Sequence, residues 1–158
     1  HADGRPVGGL LLGLAEVGTG ALLHDVGKMR LAERLRWFDP DFSAAERKMY
    51  QEHVAHGVAI GKAMQLAPGA LAAIAEHHEL ADGSGYPRGL KGEEIPFSAR
   101  LFAVVDVMDA LRSDRPYRKG WSETKAREYI LEQRGIHFDP AVVDMFIKML
   151  DKEVKLHR

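Results

Sequence analysis

An adjacent histidine and aspartate stand near the start of the chain, where an apolar segment ends in His24-Asp25 and Lys28 follows three residues later. The histidine offers a nitrogen and the aspartate an oxygen to a metal ion, and the lysine adds a positive charge. A metal ion beside a cation is suited to the hydrolysis of a phosphate ester. Because adjacent His and Asp are common by chance, this interpretation depends on further ligands elsewhere.

Further candidate ligands lie on other predicted helices. His53 and His56 are three residues apart, so both could lie near one helix face. His77 and His78 are adjacent, and neighbouring helical residues point about 100° apart, so each could serve one ion of a pair. Asp106 stands among valines in the middle of an apolar segment, where an unpaired carboxylate is costly to bury.

Each candidate has an ordinary structural interpretation when it is taken singly. A lone histidine on a helix is more often exposed or hydrogen-bonded than a ligand, and we assign His56, His137 and His157 to that class. Together, the other candidates supply six ligands, enough for two divalent ions with positions open to water: His24, Asp25, His53, His77, His78 and Asp106. The chain has no cysteine, and this mixture of histidine and carboxylate favours Fe or Mn, with Zn, Ni or Co also possible.

Composition excludes several classes of protein. The chain has 158 residues, 46% of them hydrophobic, which is typical of one soluble globular domain. Its net charge of -1 gives no electrostatic support for binding long nucleic acid or an anionic membrane. No apolar segment approaches the roughly 18 residues that a membrane span needs. With no secretory signal either, we expect a cytoplasmic protein without direct membrane insertion.

Helical periodicity dominates the chain, and no segment shows the alternation of a strand. Ser43, Ser122 and Asp139-Pro140 are helix-start signals. Pro68-Gly69 is interpreted as a turn, residues 82–87 as a loop and residues 31–42 as irregular. The sequence predicts an all-α bundle of about six or seven helices, with helical segments at residues 7–28 (one helix or two, divided near residues 18–20), 43–66, 70–80, 97–111, 122–134 and 139–156.

Residues 76–118 closely resemble the HD-GYP domain family. The resemblance rests on His77-His78-Glu79, on Gly83-Ser84-Gly85-Tyr86-Pro87, on Asp106-Val107-Met108-Asp109 and on the segment 113–118, and it extends from about residue 20 to residue 146. Members of this family are helical phosphodiesterases that hydrolyse cyclic di-GMP with two or three metal ions. The resemblance implies an HD-type bundle and hydrolysis of cyclic di-GMP to the linear dinucleotide pGpG, to GMP, or to both.

The resemblance also implies roles for individual residues. The six ligands named above would hold the metal ions, with Asp25 bridging two of them, and Lys28 would contact the scissile phosphate. Tyr86 would line the substrate cleft. Arg115 and Arg118 match basic residues that hold phosphates or guanines; the structural explanation that competes for both is a turn at a helix C-terminus, where arginine is favourable.

Two departures from the family pattern bear on activity. Family members have a Glu and a His on an early helix. His1 is the candidate for that histidine here, and this sequence has no Glu before it. The resemblance therefore favours a site with two metal ions. Residues 31–40 replace the usual Lys-Pro-Gly-Leu-Thr segment and change one wall of the cleft. These departures motivate an alternative function, that of a weakly active or inactive cyclic di-GMP receptor or interaction module.

Two further functions fit the sequence less well. An HD-type hydrolase of mononucleotides or of a stringent-response nucleotide is disfavoured by the Gly85-Tyr86-Pro87 loop, and a metal-free helical module would leave six ligands unexplained. Through that loop the family resemblance suggests contact with GGDEF-type or other signalling proteins. We expect residues 1–158 to form the HD-GYP domain of a longer protein with an N-terminal sensory or receiver domain.

Overall fold

The computed structural model describes residues 7–114 and 118–156, which form two compact units, His1–His77 and His78–Arg158. The described residues contain no β-strand, only isolated bridges, so the prediction of an all-α protein is confirmed. None of the described helices is long and apolar enough to cross a membrane. The six α-helices are α1 (Val7–Leu23), α2 (Ala44–Ala63), α3 (Pro68–Glu76), α4 (Phe97–Arg112), α5 (Glu123–Glu132) and α6 (Pro140–Leu156).

Helix α1 runs without a break through the Gly18-Thr19-Gly20 segment and packs against α3. Gly20 is needed for this packing, because a Cβ atom at that position would lie 2.6 Å from the Cβ of Ala73. The sequence allowed one helix or two, and the structure has the single continuous helix. The glycine serves close helix packing instead of a helix break.

The segment between α1 and α2 contains short 3-10 helices. The α-helix ends at Leu23, so the prediction that it reaches Lys28 is wrong, and Val26–Arg30 forms a 3-10 helix instead. A second 3-10 turn, Glu33–Leu35, interrupts the predicted irregular segment. Helix α2 begins as predicted, because the Ser43 hydroxyl accepts the Glu46 N–H and the Glu46 carboxylate accepts the Ser43 N–H.

Helix α3 differs from its prediction at both ends. Pro68 is its first residue, so the interpretation of Pro68-Gly69 as a turn is wrong; proline suits this position because the first helical N–H has no partner within the helix. The Gly69 N–H donates to the Glu16 carboxylate of α1 at 2.8 Å. The helix ends at Glu76, four residues before the predicted end, and His77 is its C-terminal cap.

The second unit has a hydrophobic core formed by α4, α5 and α6, in which Val104, Ile130 and Val143 are fully buried. Ser122 and Asp139 cap α5 and α6 as predicted: the Ser122 hydroxyl accepts the Lys125 N–H, and the Asp139 carboxylate accepts the N–H groups of residues 141 and 142. Residues 77–96, which join α3 to α4, contain no α-helix.

Candidate metal centre

Three histidines of the first unit have their rings fixed in the same way. In each ring Nδ1 faces the backbone carbonyl oxygen of the residue three positions earlier, at 2.7 Å for His24, 2.6 Å for His53 and 2.9 Å for His77. Because a carbonyl oxygen can only accept, Nδ1 carries the proton and donates it. The lone pair of each neutral ring is therefore on Nε2, which is the atom that can bind a metal ion.

These Nε2 atoms converge on the carboxylate of Asp25. The distance to Asp25 Oδ2 is 3.4 Å from His24, and the distances to Oδ1 are 3.6 Å from His53 and 3.9 Å from His77. Ligand atoms of Asp25, His53 and His77 all lie within 4.8 Å of one another. Two ligands bound at about 2.1 Å to one ion are themselves about 3 to 3.5 Å apart. The donor set and its spacing thus fit a shared divalent cation.

Burial and hydrogen bonding together set the protonation states of His53, His77 and Asp25. His53 is fully buried, which lowers its pKa, and burial together with the charge of His24 lowers the pKa of His77 to about 4. Burial alone would raise the pKa of Asp25, but its hydrogen bonds with His24 and Lys28 outweigh that and hold the pKa well below its usual range. At neutral pH His53 and His77 are therefore neutral imidazoles and Asp25 is an ionised carboxylate, the forms that bind metal ions.

Lys28 lies beside this group. Its Nζ donates to Asp25 Oδ2 at 2.6 Å and lies 5.2 Å from the centre of the Tyr50 ring. Burial alone would lower the pKa of Lys28, but its hydrogen bonds with Asp25 and Tyr50 outweigh that effect and raise the pKa. The ammonium therefore keeps its charge. The 3-10 helix accounts for the pairing, because its three-residue turn places Lys28 on the same side as Asp25.

Gly27 allows this segment to lie against α2, a role that the sequence alone did not reveal. A Cβ atom at Gly27 would lie 1.9 Å from the backbone oxygen of His53 and 2.5 Å from the backbone nitrogen of Gly57. Only glycine can make so close an approach. The sequence offered one indication of this role, a glycine between Asp25 and Lys28, two charged residues that both face α2.

His78 and Tyr86 contact each other in the second unit. Their rings stack with centres 4.5 Å apart and planes 23° from parallel, and the Tyr86 N–H donates to the His78 carbonyl oxygen at 3.1 Å. Tyr86 therefore lies against a predicted ligand, in the loop that was expected to line the substrate cleft. Both side chains are half-buried.

Glu79 organises this loop, although the sequence suggested for it only an exposed helix end. Its side chain is buried, with 2% of the residue exposed, and it accepts the N–H of Arg88 at 2.7 Å and that of Leu90 at 2.8 Å. A carboxylate that accepts two backbone N–H groups is a strong restraint on loop shape. The signal was an acidic residue next to a glycine-rich loop, whose backbone donors need acceptors.

Arg118 has the structural role that competed with substrate binding, at the C-terminus of a helix. Its guanidinium donates to the carbonyl oxygens of Ala110 at 3.0 Å and Leu111 at 3.3 Å, in the last turn of α4, and lies 5.6 Å from the centre of the Trp121 ring. These contacts satisfy carbonyl groups that have no partner within the helix.

Some of the remaining predicted residues lie in the described part of the chain and others do not. Asp106 is half-buried on α4 in the second unit, and His56 and His137 are half-buried as well. His1, Arg115 and His157 lie outside the described residues.

Comparison with known proteins places the chain beside one family. The model of the HD domain family matches residues 14–142. A Vibrio cholerae protein named 3'3'-cGAMP-specific phosphodiesterase 2 is 36% identical over 92% of this chain and 29% of its own length. The cyclic di-GMP phosphodiesterase response regulator RpfG of Xanthomonas campestris is 39% identical over 87% of this chain and 38% of its own. The chain thus spans about a third of the length of these relatives.

Solved structures show the same fold. A cyclic GMP-AMP specific phosphodiesterase of Vibrio cholerae superposes with a TM-score of 0.66 at 18% identity, covering 86% of this chain and 38% of that one. An HD-GYP protein of Bdellovibrio bacteriovorus superposes with a TM-score of 0.63 at 20% identity, covering 86% and 43%.

Proposed function

Because this chain belongs to the HD domain family, and within it to the HD-GYP proteins, we propose that it is a metal-dependent phosphodiesterase that hydrolyses cyclic di-GMP to pGpG, GMP or both. The convergence of the His53 and His77 Nε2 atoms on the Asp25 carboxylate is the single observation that most supports this function. It brings together three ligands from separate segments, around a carboxylate that also contacts a lysine.

Asp25, His53 and His77 would hold a divalent ion, with His24 beside them. When bound, such an ion polarises a phosphate oxygen and makes water a stronger nucleophile at neutral pH. We further propose two ions, Fe or Mn as the metals, and His78 and Asp106 as additional ligands. These proposals rest on the family resemblance and on the type of ligand. The roles proposed for Tyr86, Arg115 and Arg118 in substrate binding have the same basis.

The protein side chains would position the phosphate and stabilise its charge. The Lys28 ammonium, fixed against Asp25, would bind a non-bridging oxygen and offset the negative charge that develops in the transition state. The backbone hydrogen bonds of the histidines keep their rings from rotating, so that little reorganisation is needed when the substrate binds. Glu79 would hold the Tyr86 loop in one shape.

A receptor that binds a cyclic dinucleotide with little or no turnover is the second candidate. Residues 31–40 differ from the usual family segment, and the guanidinium of Arg118, a proposed substrate contact, donates to carbonyl oxygens in the last turn of α4. The relatives are named for either cyclic di-GMP or 3'3'-cGAMP, so the substrate needs a direct comparison. A cytoplasmic location, an N-terminal sensory domain and signalling partners at the Tyr86 loop remain predictions.

The test is to purify the protein anaerobically, quantify bound metal, and incubate it with cyclic di-GMP or 3'3'-cGAMP. We expect at least one metal ion per chain and conversion of cyclic di-GMP to linear products, measured by liquid chromatography with mass spectrometry. Less than about one ion per chain would contradict the enzyme. Full metal content with binding but no turnover would instead favour the receptor.

Lys28→Ala separates phosphate binding from metal binding. We expect unchanged metal content and turnover slower by roughly tenfold to a thousandfold, as for the loss of one transition-state donor. Lys48→Ala, which removes an exposed lysine of the same unit, is the matched control and should leave both quantities unchanged. Unchanged turnover in Lys28→Ala would refute the assigned role.

A further inference from the structure

Two aromatic residues of the first unit face solvent. Trp37 is 79% exposed and Phe38 is 59% exposed, and they follow the 3-10 turn Glu33–Leu35. Burying either ring would be favourable, so an exposed adjacent pair is a candidate contact surface. They belong to the segment 31–40, whose sequence departs from the family pattern and to which the proposed mechanism gives no role.

The Phe38 ring is held in place at its inner side. Its centre lies 5.9 Å from that of Tyr50 and 6.2 Å from that of Phe42, with interplanar angles of 65° and 78°. Tyr50 and Leu35 are themselves buried in the small core of this segment. Phe38 therefore combines a fixed orientation with a large exposed area, the combination that a stacking platform requires.

Tyr50 connects Phe38 to the candidate metal centre. The Tyr50 ring lies 5.0 Å from the ring of His53, centre to centre, and 5.2 Å from the Lys28 ammonium. Phe38 and Lys28 thus contact the same tyrosine within the first unit. Since the Phe38 ring centre lies 5.9 Å and the Lys28 ammonium 5.2 Å from the centre of the Tyr50 ring, a group that adjoins a phosphate held by Lys28 could reach Phe38.

The charge of this segment indicates what kind of ligand it suits. Residues 28–38 contain four basic side chains and one acidic one, Glu33. One of the four, Arg34, pairs with Glu46 of α2, whereas Arg30 is exposed. Basic groups around an exposed aromatic ring suit an anion that has a planar aromatic group, which describes a nucleotide better than an apolar peptide.

We propose that Phe38 is a base-stacking residue, on whose exposed face one purine of the cyclic dinucleotide stacks while the adjoining phosphate lies at Lys28. This inference rests on the proposed phosphodiesterase function for the position of the phosphate. It assigns to residues 37–38, where the family's usual segment is replaced, the recognition of the base.

The test compares Phe38→Ala with the wild-type protein on two substrates, cyclic di-GMP and ethylene phosphate, a small cyclic phosphodiester that has neither a base nor any other aromatic ring. We expect the KM for cyclic di-GMP to rise roughly five- to 150-fold, the range for losing one base–aromatic stack. The kcat, the metal content and hydrolysis of the small diester should be unchanged. Phe38→Tyr, which keeps an aromatic ring, should have the wild-type KM. Phe97→Ala, which removes an exposed ring of the second unit, should leave the KM unchanged.

The failures of the inference and of the function are distinguishable. If the wild type hydrolyses both substrates and Phe38→Ala has an unchanged KM for cyclic di-GMP, the stacking role alone is overturned. If Phe38→Ala loses activity equally on both substrates, the residue has a structural role and the stacking role is overturned as well. If the wild type hydrolyses neither substrate, the phosphodiesterase function fails and calorimetric binding of cyclic di-GMP decides. Weaker binding by Phe38→Ala would then support stacking; equal binding, or none by the wild type, would overturn it.

Discussion

Two carboxylates of this protein, Asp25 and Glu79, differ in what surrounds them. Glu79 is buried and accepts two backbone N–H groups of its own loop. Asp25, whose side chain is 38% exposed, is faced by imidazole nitrogens and a lysine ammonium. The first carboxylate is satisfied by the fold and fixes a loop. The second is kept ionised and partly open to solvent, so it can accept a metal ion.

The largest effect is expected from Asp25→Ala. Loss of the carboxylate removes the oxygen ligand shared by the histidines, so we expect metal loading and cyclic di-GMP hydrolysis both to be abolished. Metal analysis and product chromatography on the same preparation measure this. Asp41→Ala removes an exposed carboxylate of the same unit and should retain both. Full metal content in Asp25→Ala would remove the contrast between the two carboxylates.

Gly27→Ala should come next. The added methyl group would collide with the backbone of α2, so we expect the free energy of unfolding to fall by about 3 kcal/mol, with partial loss of metal. Gly18→Ala is the matched control, because a Cβ at that exposed helical position meets nothing within 4 Å and should stabilise the protein slightly. Urea denaturation measures both. Equal stability of the two variants would mean that the close approach at Gly27 does not position Asp25.

Glu79→Gln tests the other carboxylate. The amide keeps the shape but loses the charge and turns one acceptor into a donor, so we expect the free energy of unfolding to fall by about 2 kcal/mol. Hydrogen exchange should accelerate at residues 88 and 90 while metal content stays unchanged. Glu93→Gln, at an exposed position next to the same loop, is the control. Loss of metal in Glu79→Gln without faster exchange would contradict a role in loop structure.

The smallest effect is a pH dependence of the metal-free protein. The pKa of His77 is lowered to about 4 in the folded state, against about 6.5 when unfolded. Between these values the unfolded chain binds a proton that the folded chain does not, so stability falls as pH decreases. From pH 6.5 to 5.5 we expect a loss of about 1 kcal/mol, measured by urea denaturation. His77→Gln should flatten this dependence; an unaltered slope would assign it to other groups.

Features that depend on local sequence were predicted well. The capping box at Ser43 and the Asp139-Pro140 start of α6 need only residues within one turn, and both are confirmed. Pro68 was misinterpreted because proline before glycine is favourable both in a turn and at the first position of a helix. The sequence there contains no local feature that decides between them.

Features that depend on distant contacts were not predictable. Gly27 acquires its role from the backbone of His53, and Glu79 from N–H groups nine and eleven residues further on. The sequence shows that Asp25, His53 and His77 are of types that can bind a metal ion, but the carbonyl contacts that point Nε2 at Asp25 follow only from the helix geometry.

X-ray absorption at the metal edge of the manganese- or iron-loaded protein tests the central claim most directly, since it detects imidazole ligands without reference to activity. We expect at least two imidazoles bound to the metal in the wild-type protein and fewer in His53→Gln, whose buried ring is replaced by an amide. Oxygen ligands alone, or the same imidazole signal in His53→Gln, would contradict the assignment of Asp25, His53 and His77 as the metal centre.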